Sequence, residues 1–383
     1  MVLSFYIYLT LCVVMYLFGL LAYNKECLNS YFNKESKFIS IELVIIFIFF
    51  SFISGIRWNV GIDHQNYLFG YELIQNGSYS IFEKEVGFDV FTKFFAKKID
   101  AHFSIYFGVL AFIQVFFLYY ALRHQKIIYP IIGLVLVLGP HYLSWMNLIR
   151  QMIVATIFIC LVPLIANRKV LSYLFIVCLL SLVHKSALIL SIFFFIPNTK
   201  ILLNKLLAIS LIIITFAIGQ TDIWVSLLSN INPILGFIGY DHYAGALDYF
   251  ISEIDVQNVG PRAIGIILSM IMLAWYGERI ITYFKNPLLL YYYNFAIIGI
   301  CLHNVLVNMH HVFLRPILYL TIFSLPMISY LICYLIRNSS KKVIALALVV
   351  IFSLTYLPLS IISDYGKGAR DYTNYNFYWD YSD

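Results

Sequence analysis

Twelve apolar stretches run the length of this chain, near 2–23, 38–56, 104–122, 127–143, 147–166, 170–183, 187–197, 206–220, 262–280, 288–307, 314–336 and 343–362. The connectors between them alternate between short basic segments and acidic, aromatic ones. A helix of roughly 20 apolar residues crosses about 30 Å of hydrocarbon, and inside a bilayer only helices or closed barrels satisfy their own backbone polar groups. The pattern therefore predicts an all-α polytopic membrane protein with about 12 transmembrane helices, 11 to 13 at the limits. Only 11% of the residues are charged, against roughly 25% in soluble domains, which excludes a water-soluble globule. The seventh stretch closes at Pro197 and is too short to cross unaided. It is retained as a span because omitting it would reverse every later connector.

Orientation follows from the connectors. Segments 24–37, 123–126, 167–169, 198–205, 281–287 and 337–342, with the helix end before 281, hold fourteen Lys and Arg against three Glu. The opposite side holds eleven basic and fifteen acidic residues. The positive-inside rule then places both termini outside. On this reading 1–383 is a single transmembrane domain whose outer loops 57–103 and 221–261 and outer tail 363–383 form the working face. The net charge of +6 belongs to topology, and no nucleic-acid partner is expected. No cysteine spacing suits a metal or an outer disulfide. Within 86–98 the residues Val90, Phe91, Phe94 and Phe95 share one helical face, as expected of a helix lying in the interface. Tyr240, Tyr243, Ala244, Leu247 and Phe250 repeat the pattern in 240–251.

The residues able to carry chemistry gather at the expected outer rim. Arg57 ends the second stretch, Arg150 with Gln151 opens the fifth, His184 with Lys185 follows the sixth, and Arg315 precedes Pro316 at the eleventh. Each taken alone suits an interfacial anchor. Four such positions at one depth suit a multivalent anion, because Arg grips phosphate oxygens bidentately. Asp63 lies six residues after Arg57, with Gly61 permitting a tight turn between them. Asp63 or His184 would orient or deprotonate a substrate hydroxyl. The acidic pairs Glu83/Glu85 and Glu253/Asp255 read as solvated loop residues, and His303, His310 and His311 have no zinc spacing. No metal and no cofactor are expected.

The segment Arg57 to Tyr67 resembles the R-x-x-x-G-x-D-x-x-x-Y signature of EpsG-like polymerases, a branch of the Wzy O-antigen and exopolysaccharide polymerases. Asn147-Leu148-Ile149-Arg150-Gln151 and His184-Lys185-Ser186-Ala187 are similar to that family's N-x-x-R-Q and H-x-S-A segments, and Glu85-Val86-Gly87-Phe88 and Arg315-Pro316 match more weakly. His64 stands where the family pattern wants an aromatic, so no chemistry is expected of it. The resemblance implies a metal-independent, GT-C-like glycosyltransferase that moves a growing glycan from undecaprenyl diphosphate to the non-reducing end of the next lipid-linked repeat unit, inverting the anomeric centre. Arg57, Arg150 and Arg315 would bind the diphosphate, with Lys185 as an auxiliary charge. Trp58, Tyr67, Gln151, Tyr240 and Tyr243 would contact glycan. The implied partners are lipid-linked oligosaccharide repeat units and membrane lipid, with a chain-length regulator and a flippase as candidates. An exporter or flippase of lipid-linked sugars, an O-antigen ligase and a metal-dependent mannosyltransferase-like enzyme are the rival readings.

Overall fold

A computed structural model describes residues 1–32, 38–82, 84–221, 259–308, 311–367 and 371–380. Six helical segments among them are long and apolar enough to cross a membrane: Val2–Tyr31, Phe103–Ala121, Ile149–Ala166, Pro261–Phe284, Leu289–Leu306 and Arg315–Arg337. The chain is a multi-pass helical membrane protein. Of the expected stretches, 187–197 departs furthest: it holds a five-residue 3-10 turn at Lys185–Ile189 and a single α turn at Leu190–Phe193. Pro197 and the lack of length leave no helix there that could cross alone. The fourth stretch is also not straight. Helices Lys126–Leu138 and His141–Asn147 meet at 64° across Gly139 and Pro140, where the proline removes a backbone donor and disfavours helix in the residue before it.

The Cα positions divide into two compact units, one comprising Met1–Ile196 with Ile332–Asp383 and the other Pro197–Leu331. In the first unit, α1 (Val2–Tyr31), α2 (Ile41–Gly55), β1 (Arg57–Trp58), α3 (His64–Gln75), α4 (Val86–Lys93), α5 (Phe103–Ala121), α6 (Tyr129–Leu138), α7 (His141–Asn147), α8 (Ile149–Ala166) and α9 (Val170–Ser181) follow in order. The core beneath the site joins α3, α4, α5 and α8 through Tyr71, Phe88, Tyr106 and Ile153. The α7–α8 break at Leu148 would leave carbonyls unsatisfied. Buried Gln114 of α5 repairs it, its Nε2 donating to Trp145 O at 3.3 Å and Ile149 O at 3.2 Å.

The two ends of α1, a helix of 30 residues and so about 45 Å long at 1.5 Å per residue, have opposite surroundings. Near its C-terminus Lys25 pairs with Glu42 at 3.1 Å, Glu26 pairs with Lys126 at 2.9 Å, and Arg337 donates to Tyr23. Near its N-terminus Ser4 and Tyr8 bind the C-terminal segment. The short basic connectors 123–126 and 337–342 thus meet at one end of this unit.

Segment 86–98 is helical, and it packs on the protein by the face opposite Val90 and Phe94. Phe88, Asp89, Thr92 and Ala96 are buried, whereas Val90 and Phe94 are 60% and 52% exposed. Asp89 can be buried because Ser80 donates to it and Lys93 lies 2.6 Å away, and the Thr92 hydroxyl meets Tyr106 at 3.0 Å.

In the second unit the helix Lys205–Gly219 packs between Pro261–Phe284 and Leu289–Leu306. Asn304 donates to Ile212 O at 3.2 Å and Asn308 to Gly219 O at 2.7 Å, tying the helices by polar bonds. The connector positions 222–258, including Tyr240, Tyr243, Glu253 and Asp255, lie outside the described residues, as do Glu83 and His310.

Candidate active site

Arg57 to Asp63 forms a loop whose geometry the sequence pattern already requires. Gly61 has φ +93°, and a Cβ there would lie 2.8 Å from Met146 O, so only glycine fits. Replacing Gly61 with Ala combines a left-handed penalty of about 1–2 kcal/mol with that clash. The variant should accumulate but lose most of its activity, while the same change at Gly77, which has φ +81° and the same backbone penalty but nothing within 4 Å of a Cβ, should leave activity largely intact. Asn147 at the end of α7 holds the far side of the loop, its Oδ1 accepting from the Asp63 N–H at 2.8 Å. Among the described residues the Asp63 carboxylate has no hydrogen-bond or ion-pair partner, which leaves it open to a ligand.

Arg57 does not face out of this loop. It is 1% exposed, with Nε on Val60 O and Nη2 on Met146 O, both at 3.3 Å, Nη1 on Ser54 O, and Phe107 under the guanidinium at 5.0 Å. A guanidinium so enclosed in main-chain carbonyls fixes the α2–loop–α7 junction and offers little to a diphosphate in this arrangement. His64, also buried, stacks on Phe107 at 4.9 Å. Burial, aided by the Arg57 charge, pushes its imidazole down to about 3, so it serves as a neutral ring in an aromatic position.

The charged centre lies where three distant segments meet. Glu85 is 7% exposed and is not a solvated loop residue, a correction to the expectation. Its Oε2 takes the Arg150 Nη1 bond, and its Oε1 takes His184 Nδ1 at 2.6 Å and the Lys185 N–H at 3.1 Å. Arg150 Nε donates to Tyr67 Oη at 3.1 Å, and the rings of Tyr67, Phe82 and Phe88 stand 5.4, 5.5 and 5.4 Å from its guanidinium carbon. The segment carrying Glu85 docks by main chain: Leu182 O accepts from Gly87 N at 2.9 Å and Phe88 N at 3.2 Å. A Cβ on Gly87 would press within 3.0–3.2 Å of Leu182, which explains the glycine two residues after Glu85.

Burial by itself would raise the Glu85 carboxyl, but the His184 hydrogen bond, the Arg150 charge and the Lys185 N–H outweigh it and hold it below the ordinary carboxylate range. An ionised carboxylate only accepts, so His184 Nδ1 must carry the proton of this hydrogen bond. Because the folded value is depressed, the stability Glu85 contributes is complete above the unfolded value of about 4.3 and is lost as pH falls through the folded one. Detergent-solubilised wild type should therefore lose thermal midpoint below about pH 4 more steeply than Glu85→Gln.

Of the other expected residues, Gln151 is buried beside Arg150, and Trp58 sits on β1 against His64 and Phe103. Tyr67 is buried in the Arg150 cage. Lys185 is exposed, its main chain engaged. Arg315, half-buried, heads a 3-10 turn at Arg315–Ile317 in the second unit. Sequence reasoning missed Glu85 as the shared partner. The signal available was a half-buried Arg at the mouth of an apolar helix, which requires a counter-charge.

One family model, EpsG, matches the chain over residues 40–377. The chain belongs to the EpsG family. This EpsG member matches over most of its length, so the loop, the Glu85 cluster and the C-terminal strand all fall inside the family region. No curated protein and no solved structure gives a significant match to it.

Proposed function

We propose that this EpsG-family protein is a membrane glycan polymerase that transfers a growing glycan from a polyprenyl diphosphate carrier, undecaprenyl diphosphate in bacteria, to the next lipid-linked repeat unit at the outer face of the membrane. The observation that carries the reading is the Glu85–Arg150–His184 centre, joined to the Asp63 loop through Asn147 and Tyr67. It combines a fixed guanidinium, a tautomerically set imidazole and an open carboxylate, which are the groups a glycosyl transfer to a hydroxyl requires.

In this mechanism an acceptor hydroxyl, oriented by Asp63, attacks the anomeric carbon from the face opposite the diphosphate. The new C–O bond forms as the bond to the diphosphate oxygen breaks, and the hydroxyl proton passes to His184 Nε2. Charge accumulates on the departing diphosphate, where the Arg150 donors not engaged by Tyr67 and Glu85 stabilise it. Arg57 positions the loop. Arg315 is kept as a diphosphate-binding candidate, to be tested by its own Lys and Ala replacements. The GT-C-like fold, twelve spans and outward termini belong to the same proposal.

The deciding experiment gives purified protein lipid-linked repeat units in detergent, where no compartments exist to be crossed. Formation of multi-repeat product supports the polymerase. Its absence, together with cells that lose lipid-attached repeats altogether, points to an exporter or ligase. Orientation is checked separately: in a background lacking the native cysteines, thiols placed at Ser78 and Ser382 should label with an impermeant reagent from outside and one at Ser339 should not.

A further inference from the structure

The C-terminal segment lies far in sequence from every residue assigned a role above, yet it is built into the same loop. Asn376 and Phe377 form β2, antiparallel to β1, with Phe377 opposite Arg57 and Asn376 opposite Trp58. Hydrogen bonds close both ends of this pairing: Gly61 N donates to Tyr372 O at 2.9 Å and Tyr378 N to Ile56 O at 3.2 Å.

The strand is itself anchored. Thr373, Asn374 and Tyr375 are consecutive buried residues. Tyr8 Oη donates to Thr373 O at 2.9 Å, Ser4 Oγ to Asn374 Oδ1 at 3.1 Å, and Asn374 Nδ2 to Ile361 O at 3.0 Å. The Tyr375 hydroxyl donates to Ile53 O, in the last turn of α2 before Arg57. The loop that carries Asp63 is thus held from two sides, by Asn147 at Asp63 itself and by this strand at β1 and Gly61.

We infer that residues 371–378 are a positioning element for Asp63, a strap that fixes the β1–Gly61 turn so that the carboxylate meets the acceptor hydroxyl. The inference rests on the reading of Asp63 as the acceptor-orienting group. A loop paired on one edge only would sample misaligned positions, and misplacement by about 1 Å can cost on the order of 100-fold in rate.

The test compares wild type, Asp63→Ala and three tail variants, a deletion of 371–383, Asn374→Ala and Tyr375→Phe, each tail variant also combined with Asp63→Ala. Peptides covering 57–63 are followed by hydrogen exchange, and polymer formation is followed from lipid-linked repeat units extracted from cells lacking this protein. The strap predicts faster exchange in 57–63 and roughly tenfold or greater loss of rate. It also predicts little further loss when a tail variant is added to Asp63→Ala, because the tail acts through that residue. Should the deletion fail to accumulate, Tyr375→Phe, which keeps the buried ring and removes one hydroxyl, carries the same comparison. Unchanged exchange overturns the inference. So does a tail loss that multiplies with Asp63→Ala, since a general scaffold behaves that way. If wild type itself forms no polymer, the glycan reading fails and the catalytic role of the strap fails with it, whereas unchanged exchange in an active wild type overturns the strap alone.

Discussion

Arg150→Ala should abolish long glycan chains and lower the rate of transfer on the order of 10²–10³-fold, while the protein still inserts and accumulates. Arg150→Lys should remain clearly impaired. An ammonium is a point charge, and from this position it cannot at once meet Tyr67 Oη, the Glu85 carboxylate and a phosphate oxygen as a planar fork does. An interfacial anchor would behave differently, since Lys snorkels as readily as Arg. Ladder length and membrane abundance, measured together, separate these outcomes. Wild-type ladders from Arg150→Lys would remove Arg150 from the reaction. Arg57→Lys should also fail, for a different reason: it loses the carbonyl bonds that shape the loop, so exchange in 57–63 should rise with the loss of activity.

Glu85→Ala is expected to be nearly as damaging, and for two separable causes. Removing one partner of a fully buried pair costs about 3–5 kcal/mol, and this half-buried guanidinium should lose part of that, so the variant should unfold at lower temperature. The milder Glu85→Gln keeps the volume but no longer demands a proton on His184 Nδ1 or matches the Arg150 charge, and should lose most activity with a smaller loss of stability. In a His184→Ala background, Glu85→Gln should cost clearly less than it does in wild type, since part of its effect runs through the imidazole. Normal polymer from Glu85→Gln would return Glu85 to the status of an ordinary loop residue.

The class of structure was legible in the chain itself. Apolar runs of helical length, with scarce charge, leave a membrane helix as the way to satisfy the backbone, and that requirement is local to each run. The turn chemistry was legible for the same reason: Gly61 between Arg57 and Asp63 announces a left-handed turn, and φ +93° is found there. The ordered short motifs also sufficed to indicate the EpsG family. Partnership was a different matter. Glu85 and Arg150 are 65 positions apart and Glu85 and His184 are 99 apart, and nothing in a loop carboxylate's own neighbourhood distinguishes a solvated group from a buried counter-ion. The same holds for Arg57, whose appearance at a helix end suggests a phosphate ligand until the carbonyls of Ser54, Val60 and Met146 are seen around it. Local conformation is set by neighbours along the chain. Charge pairing, the face that 86–98 buries and the docking of 371–378 on β1 are set by which distant segments packing brings together, and only the tertiary structure decides that.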